Sequence, residues 1–139
     1  PMHGPSALKG SGLLDDEGWV DVDKHTMMHN TYTTVFSLGD ASNLPTVKMG
    51  GAVRQQLPIL VDNLIQRMDD EDPTHIYEGK TACPIATEYG KLILAEFGYN
   101  KIPKESTFLD QSDVKKLFYQ FKKNMLPIMY WYGMLNGKS

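Results

Sequence analysis

Only one of the 139 residues is a cysteine. This excludes an internal disulfide and any structural zinc site built on several thiolates, so redox chemistry at Cys83 needs a second sulfur from outside the chain. An excess of positive charge is also lacking. With 14 basic and 17 acidic residues the net charge is −3, which gives no general case for a nucleic-acid partner. Long hydrophobic runs are missing as well: the apolar and aromatic stretch Met125 to Leu135 is shorter than the roughly 20 residues that span a bilayer. The opening, Pro1-Met2-His3-Gly4-Pro5, has no initiator Met and no basic segment leading into an apolar one, and it reads as loop. There is no internal repeat and no low-complexity tract. At 41% hydrophobic and 22% charged, the composition is that of a globular chain long enough for one ordinary domain.

What is present is unevenly distributed. Lys115 to Ser139 holds five lysines and no acidic residue, whereas the preceding part holds nine basic and seventeen acidic residues and carries about −8. The basic tail is therefore a feature in its own right. Residues 1–18 are rich in Gly and Pro and end in a turn at Asp15-Asp16-Glu17-Gly18. Trp19-Val20-Asp21-Val22-Asp23 alternates apolar with polar, and Tyr32 to Leu38 is rich in residues that favour extended backbone, so both are expected strands. Val53, Leu57, Leu60, Leu64 and Met68 recur at helical spacing and predict a helix with that face inward, kinked at Pro58 and ending before the acidic run Asp69 to Asp72. Tyr77 to Pro84 reads as loop or short strand, Leu92 to Phe97 as strand, and residues 98–112 as loop. A helix is expected from Asp113 to about Met125, broken by Pro127.

The arrangement that carries chemistry is Thr34-Val35-Phe36-Ser37-Leu38-Gly39-Asp40, then a loop, then the helix. A strand ending in Gly-Asp puts a carboxylate at the carboxyl end of a sheet, where open α/β folds bind ligands. Asp40 can accept hydrogen bonds from sugar or ribityl hydroxyls there. The helix behind it aims free N–H groups and a partial positive charge at the same place. Gly50 and Gly51 near its start allow close approach of backbone to a ligand. Taken alone, the same residues also describe an ordinary strand-to-helix turn capped by Asp40. Lys48, just before the helix, is a candidate for contact with the same ligand or a solvated loop lysine. Cys83 is a reactive thiol or an inert buried one. His25 and His29 have i,i+4 spacing but no third ligand, so no metal site is expected.

The longer string Tyr32-x-x-x-Phe36-x-x-Gly39-Asp40 resembles the second FAD motif of the two-dinucleotide-domain flavoprotein reductases. Gly18-Trp19-Val20-Asp21-Val22-Asp23-Lys24, Gly39-Asp40-Ala41-Ser42-Asn43-Leu44-Pro45-Thr46-Val47-Lys48, Thr81-Ala82-Cys83-Pro84, Ile93-Leu94-Ala95-Glu96-Phe97 and Leu126-Pro127-Ile128-Met129-Tyr130-Trp131 are together similar to the eukaryotic-type sulfide:quinone oxidoreductases, in register over nearly the whole chain. The resemblance implies an α/β chain: residues 1–72 as the C-terminal portion of a Rossmann-like FAD-binding domain, 73–112 as a small α+β segment with a redox cysteine, and 113–139 as amphipathic helices docking on a membrane. It implies FAD held by Gly39, Asp40, Lys48, Gly50, Gly51 and Ala52, and Cys83 as one of two redox cysteines. It also implies a peripheral place on the mitochondrial inner membrane. Sulfide would attack a cysteine disulfide or trisulfide, leaving a persulfide and a thiolate whose electron pair passes through FAD to ubiquinone. The sulfur would leave on glutathione or sulfite.

Two features depart from the family pattern. Met49-Gly50-Gly51-Ala52 replaces an Ala-rich stretch, and the N-terminal Gly-x-Gly-x-x-Gly motif and partner cysteine are absent. The 139 residues alone are accordingly expected neither to hold FAD tightly nor to turn over. In the tail, Leu117, Phe118 and Phe121 can share a helix face while Lys115, Lys122 and Lys123 reach lipid headgroups. Phe118, Phe121, Tyr130 and Trp131 are the expected quinone or membrane contacts; the alternative is a helix packed on its own domain. Two other functions fit parts of the pattern: a type II NADH:quinone dehydrogenase-like segment, which needs no redox cysteine, and a non-catalytic membrane-binding fragment.

Overall fold

A computed structural model describes residues 2–104 and 116–137. The chain is mixed α/β and forms two compact units. One comprises the described residues up to Thr81 together with Gly98–Ile102; the other comprises Ala82–Phe97 and the described residues from Pro103 onward.

The first unit is built on loops stitched by single bridges. Leu14 pairs with Val20, Val20 with Ser42, Val22 with His29 and Met28 with Phe36. The alternation in Trp19–Asp23 correctly picks Val20 and Val22 as inward residues: both are buried, and with Met27, Leu44 and Tyr77 they form the core. Neither expected strand forms a ladder, however. Thr33 and Thr34 lie in a turn, and Phe36 alone of Tyr32 to Leu38 makes a bridge. Among the described residues no neighbouring strand lies alongside to extend the pairing, and unpaired strands are not stable by themselves. His29 is buried and ties its own loop to the one carrying Leu13. Its Nδ1 accepts from the amides of Thr31 and Tyr32 at 3.0 and 3.1 Å, which leaves Nε2 to donate to the Leu13 carbonyl at 3.2 Å.

Helix α1 spans Gly50–Met68 and runs through Pro58. It ends where the acidic run begins, as expected, but its inward face differs from the expected one. The buried residues are Ala52, Gln56 and Asn63, while Leu57 and Met68 are exposed. The reason lies in what the helix packs against. Asn63 donates to the carbonyls of Thr26 and His75 at 3.1 and 2.9 Å and accepts from the His75 amide at 2.9 Å. Loop backbone presents polar groups that an apolar face would leave unsatisfied. Ile59 and Leu60 supply the apolar contact with the core.

In the second unit, β1 (Thr81–Glu88) and β2 (Lys91–Phe97) form a hairpin turning at Tyr89-Gly90, with Gly90 at φ 78°. This two-residue turn needs the left-handed conformation that glycine adopts without cost. Residues Tyr99–Lys101 then return to the first unit as a single 3-10 turn. From Lys116 to Asn136 the described chain is one contiguous helical run: α2 (Lys116–Gln120), a π segment (Phe121–Met125), α3 (Leu126–Ile128), a second π segment (Met129–Gly133) and a closing 3-10 turn. Pro127 therefore does not break the helix. It sits in the first turn of α3, directly after a π segment, where widened turns absorb its missing donor. Gly137, at φ 65°, closes the run. The expected helix start, Asp113 to Lys115, lies outside the described residues.

Candidate functional site

The candidate cofactor-binding residues of the sequence all fall in the first unit, around the turn Gly39–Ala41. Gly39 has φ 65°, and a Cβ there would come within 2.9 Å of the Val53 side chain, so only glycine fits. Its amide donates to Oε1 of Gln56 at 2.8 Å, and its carbonyl accepts from the Ser42 hydroxyl at 2.9 Å. The loop is held from the other side by the Trp19–Asp23 segment. Val20 donates to the Ala41 carbonyl at 2.9 Å and accepts from the Asn43 amide at 3.0 Å. Asp21 accepts from the side chains of Asn43 and Asn30 at 2.9 and 2.7 Å. The turn is thus fixed on two sides while Asp40 itself is exposed.

The head of α1 follows closely in sequence. Met49 is the preceding residue and supplies no side-chain cap. The Ala52 and Val53 amides donate to the Met49 carbonyl at 3.0 and 3.3 Å, and the Ala52 side chain is buried. Of the three expected helix-head positions, Gly50 and Gly51 are therefore those with amides free of that carbonyl. A Cβ on Gly50 would meet nothing within 4 Å, so the approach to it is open.

Lys48 is not a solvated loop lysine. Its Nζ donates to the Ser42 carbonyl and lies 4.1 Å from the centroid of the Trp19 ring. Burial lowers its pKa from the ordinary lysine value, against the opposing pull of the Asp40 and Asp15 carboxylates. Trp19 is held in turn by Asp15, whose carboxylate accepts the Trp19 amide at 2.9 Å. The sequence reading missed Trp19, Ser42 and Gln56 as parts of this arrangement. Trp19 carried no separate signal, whereas a glutamine on the apolar side of a helix was a readable irregularity. Together the site offers two uncapped amides, an ammonium and an exposed carboxylate. That donor set suits a ring that gains negative charge and a chain of hydroxyls, and so fits a flavin.

The remaining candidates belong to the second unit. Cys83 is a free, half-buried thiol on β1, not in a loop, and Pro84 follows it within the same strand of the two-stranded sheet. The Pro84 carbonyl accepts from Lys122 Nζ at 3.3 Å, which links the helical run to the strand beside Cys83. Tyr89 at the hairpin turn meets Tyr119 with ring centroids 6.4 Å apart. Phe118 is half-buried, whereas Phe121, Tyr130 and Trp131 are exposed, the last two in edge-to-face contact at 5.3 Å. Leu117, Phe121, Met125, Ile128, Tyr132 and Leu135 are exposed at helical spacing. Among the described residues no helix is long and apolar enough to cross a membrane, and no group of three or more His, Cys, Asp or Glu is placed to hold a metal. An open recess of about 220 Å³ lined by Gln55, Ile59, Ile76, Tyr77, Glu78 and Lys80 involves none of the candidate residues.

No family model matches the chain. Among curated proteins it is 44% identical over 137 residues to the mitochondrial sulfide:quinone oxidoreductase of Mus musculus, covering 99% of this chain and 30% of that protein. It is 48% identical over 139 residues to the protein of that name in Dictyostelium discoideum, and 43% identical over 143 residues to that of Schizosaccharomyces pombe. Each match covers 99% of the chain and 31% of the relative. Among solved structures, a chain in the cryo-EM structure of the Tetrahymena thermophila mitochondrial ATP synthase F1Fo tetramer superposes with a TM-score of 0.82 at 22% identity, over 94% of this chain and 32% of that one. At that identity the likeness is one of fold alone. The chain spans about three-tenths of the length of the curated relatives it matches, and along nearly all of its own length it is similar to sulfide:quinone oxidoreductases.

Proposed function

We propose that this chain is the C-terminal part of a mitochondrial flavoenzyme that oxidises hydrogen sulfide and reduces ubiquinone, and that residues 1–72 complete its Rossmann-like FAD-binding domain. The observation that carries the reading is the assembly around Gly39: an exposed carboxylate, an uncapped helix head opened by Gly50, and a seated ammonium, all in one unit. Sequence identity of 43–48% to relatives named sulfide:quinone oxidoreductase supports the choice of reaction.

In this reading Asp40 accepts hydrogen bonds from the ribityl chain, and the Gly50 and Gly51 amides with Lys48 face the pyrimidine end of the ring. FAD, when bound, supplies a two-electron carrier between the sulfur site and the quinone. Cys83 forms a disulfide or trisulfide with a cysteine outside these residues. Sulfide attacks one sulfur, forming a new S–S bond and breaking the old one. From a disulfide, one cysteine is left as persulfide and the other as thiolate; from a trisulfide, attack on an outer sulfur leaves both as persulfides. The outer persulfide sulfur passes to a small thiol or sulfite acceptor, and the two cysteines re-form their S–S bridge as one electron pair leaves toward the carrier, which closes the cycle.

Residues 113–139 dock the protein peripherally on the mitochondrial inner membrane. The exposed stripe through Phe121 and Ile128 enters the interface, and the lysines face anionic headgroups. Tyr130, Trp131 and Phe118 lie where a lipid-soluble quinone enters.

The deciding experiment compares electron donors for quinone reduction by the full-length protein. Sulfide is expected to support turnover and NADH is not. Turnover with NADH and none with sulfide would instead assign a type II NADH dehydrogenase. A full-length protein that binds vesicles but holds no flavin would assign a membrane-binding fragment without catalysis.

A further inference from the structure

The contact between Trp19 and Lys48 belongs to neither strand pairing nor core packing. Lysine carries four rotatable side-chain bonds, and its ammonium is strongly hydrated, so a lysine in a loop ordinarily points to water. Here the Nζ lies 4.1 Å from the indole centroid, well inside the range of a cation–π attraction, and donates to the carbonyl of the fully buried Ser42. Among the described residues, a second such contact, Lys24 over Tyr99, is at 5.9 Å, near the limit of that range.

The backbone that carries the indole is itself fixed. Asp15 accepts the Trp19 amide through its carboxylate at 2.9 Å and donates its own amide to the Trp19 carbonyl at 2.7 Å. Ser42 bonds through its hydroxyl to the Gly39 carbonyl, so the acceptor of the ammonium belongs to the turn that carries Asp40. The position of the charge is therefore set jointly by the Asp15–Trp19 turn and the Gly39–Ser42 turn. Burial opposes the charged form, while Asp40 and Asp15 favour it. A charge held in place before a ring is reduced needs no reorganisation when negative charge develops.

We infer that Trp19 is a positioning residue for Lys48: its indole face seats the ammonium beside the head of α1, so that a fixed positive charge stabilises the reduced form of the ring bound there. This rests on the proposal that Lys48 faces a flavin, and the test separates the two.

The test is a double-mutant cycle in the full-length flavoprotein, with Trp19→Phe, Lys48→Met and the combination, read by the two-electron midpoint potential of the bound flavin and its visible spectrum. Lys48→Met is expected to weaken stabilisation of the reduced flavin about tenfold, a fall of about 30 mV. Trp19→Phe, which keeps a smaller ring, is expected to shift the potential the same way by less, and to add nothing once Lys48 is Met. Trp19→Leu, with no ring, is expected to approach the Lys48→Met value. Should the Leu variant fail to fold, the Phe cycle decides alone. Equal shifts from Trp19→Phe in both backgrounds, or no shift beside a clear one from Lys48→Met, would overturn the positioning role and leave Lys48 at the flavin. No shift from Lys48→Met would overturn the placement of Lys48 and the inference with it.

Discussion

The amide of Gly39 donates to Oε1 of Gln56 at 2.8 Å, so the turn that presents Asp40 is fastened to the inward face of α1. Gln56 is fully buried, and its Oε1 is the acceptor on which this fastening depends. Gln56→Leu removes that acceptor and leaves a buried amide unsatisfied, with an expected loss of roughly 1–3 kcal/mol. Urea unfolding should show a lower midpoint at unchanged m-value. Asp40→Ala should behave in the opposite way: among the described residues the exposed carboxylate makes no hydrogen bond, so stability should change by less than about 0.5 kcal/mol. In the full-length protein the same change should weaken flavin binding, by about tenfold or more for a lost charge-assisted hydrogen bond.

Asp23 gives the first unit an acid-sensitive point. Its Oδ1 accepts from the amides of His25 and Thr26 at 3.0 and 2.8 Å and from the Thr26 hydroxyl at 3.0 Å. Burial pushes its pKa up, but the Thr26 and His25 hydrogen bonds and the nearby His25 outweigh that and bring it below the ordinary value of 3.8. A folded-state pKa below the unfolded one means the stabilisation is complete above the unfolded value and is lost as pH falls through the folded one. Thermal unfolding across pH 5 to 2 should show a falling midpoint that is shallower in Asp23→Ala. An identical slope in both proteins would contradict this.

Gly79 is a position where a single methyl is not tolerated. Its φ is +79°, and a Cβ would fall 2.5 Å from Tyr99 Cγ and 2.7 Å from the Tyr99 amide nitrogen. Tyr99 cannot yield easily, because its hydroxyl donates to the Lys24 carbonyl and its ring meets Tyr77 edge-on at 5.7 Å. Gly79→Ala should cost at least the 1–3 kcal/mol typical of overpacking, with left-handed backbone strain added. Gly90→Ala, also at φ 78° but with nothing within 4 Å of the added carbon, isolates the backbone part by comparison.

The tail should bind membranes by two separable contributions. Phe121 and Trp131 are exposed, with Lys122 and Lys123 in the same helical run. Replacing both aromatics by Ser in the full-length protein should weaken vesicle binding at least about tenfold whatever the lipid charge, since burying a large apolar side chain contributes about 1.5–3 kcal/mol. Replacing both lysines by Gln should weaken binding only to anionic vesicles, by about 1 kcal/mol per lysine at low salt. Flotation that responds to neither pair would remove the tail as the anchor.

The helix Gly50–Met68 and the strand Lys91–Phe97 were legible where the local pattern decided them, whereas their neighbour Thr81–Glu88 was read only as loop or short strand ending at Pro84, without the hairpin. The extended segments were not, because a strand requires a partner. Phe36 has one bridge, to Met28, and the β-favouring residues around it turn instead. The inward face of α1 was misread because Gln56 and Asn63 serve loop backbone groups that no periodicity of apolar residues records. Pro127 was misread as a break because the π turn before it is invisible to a 3.6-residue rule. At the candidate site, Gly39, Asp40 and the helix head were readable from type and order. The seating of Lys48 on Trp19 was not, since those two residues stand far apart in sequence and meet only through the loops.

The central claim is that Cys83 belongs to the sulfur chemistry and Asp40 to the cofactor. Anaerobic addition of sulfide to full-length Cys83→Ser, followed at the visible flavin band, tests it most directly. The account predicts a protein that keeps its flavin but is no longer bleached by sulfide on the wild-type timescale. Bleaching of the Ser variant at the wild-type rate would contradict it.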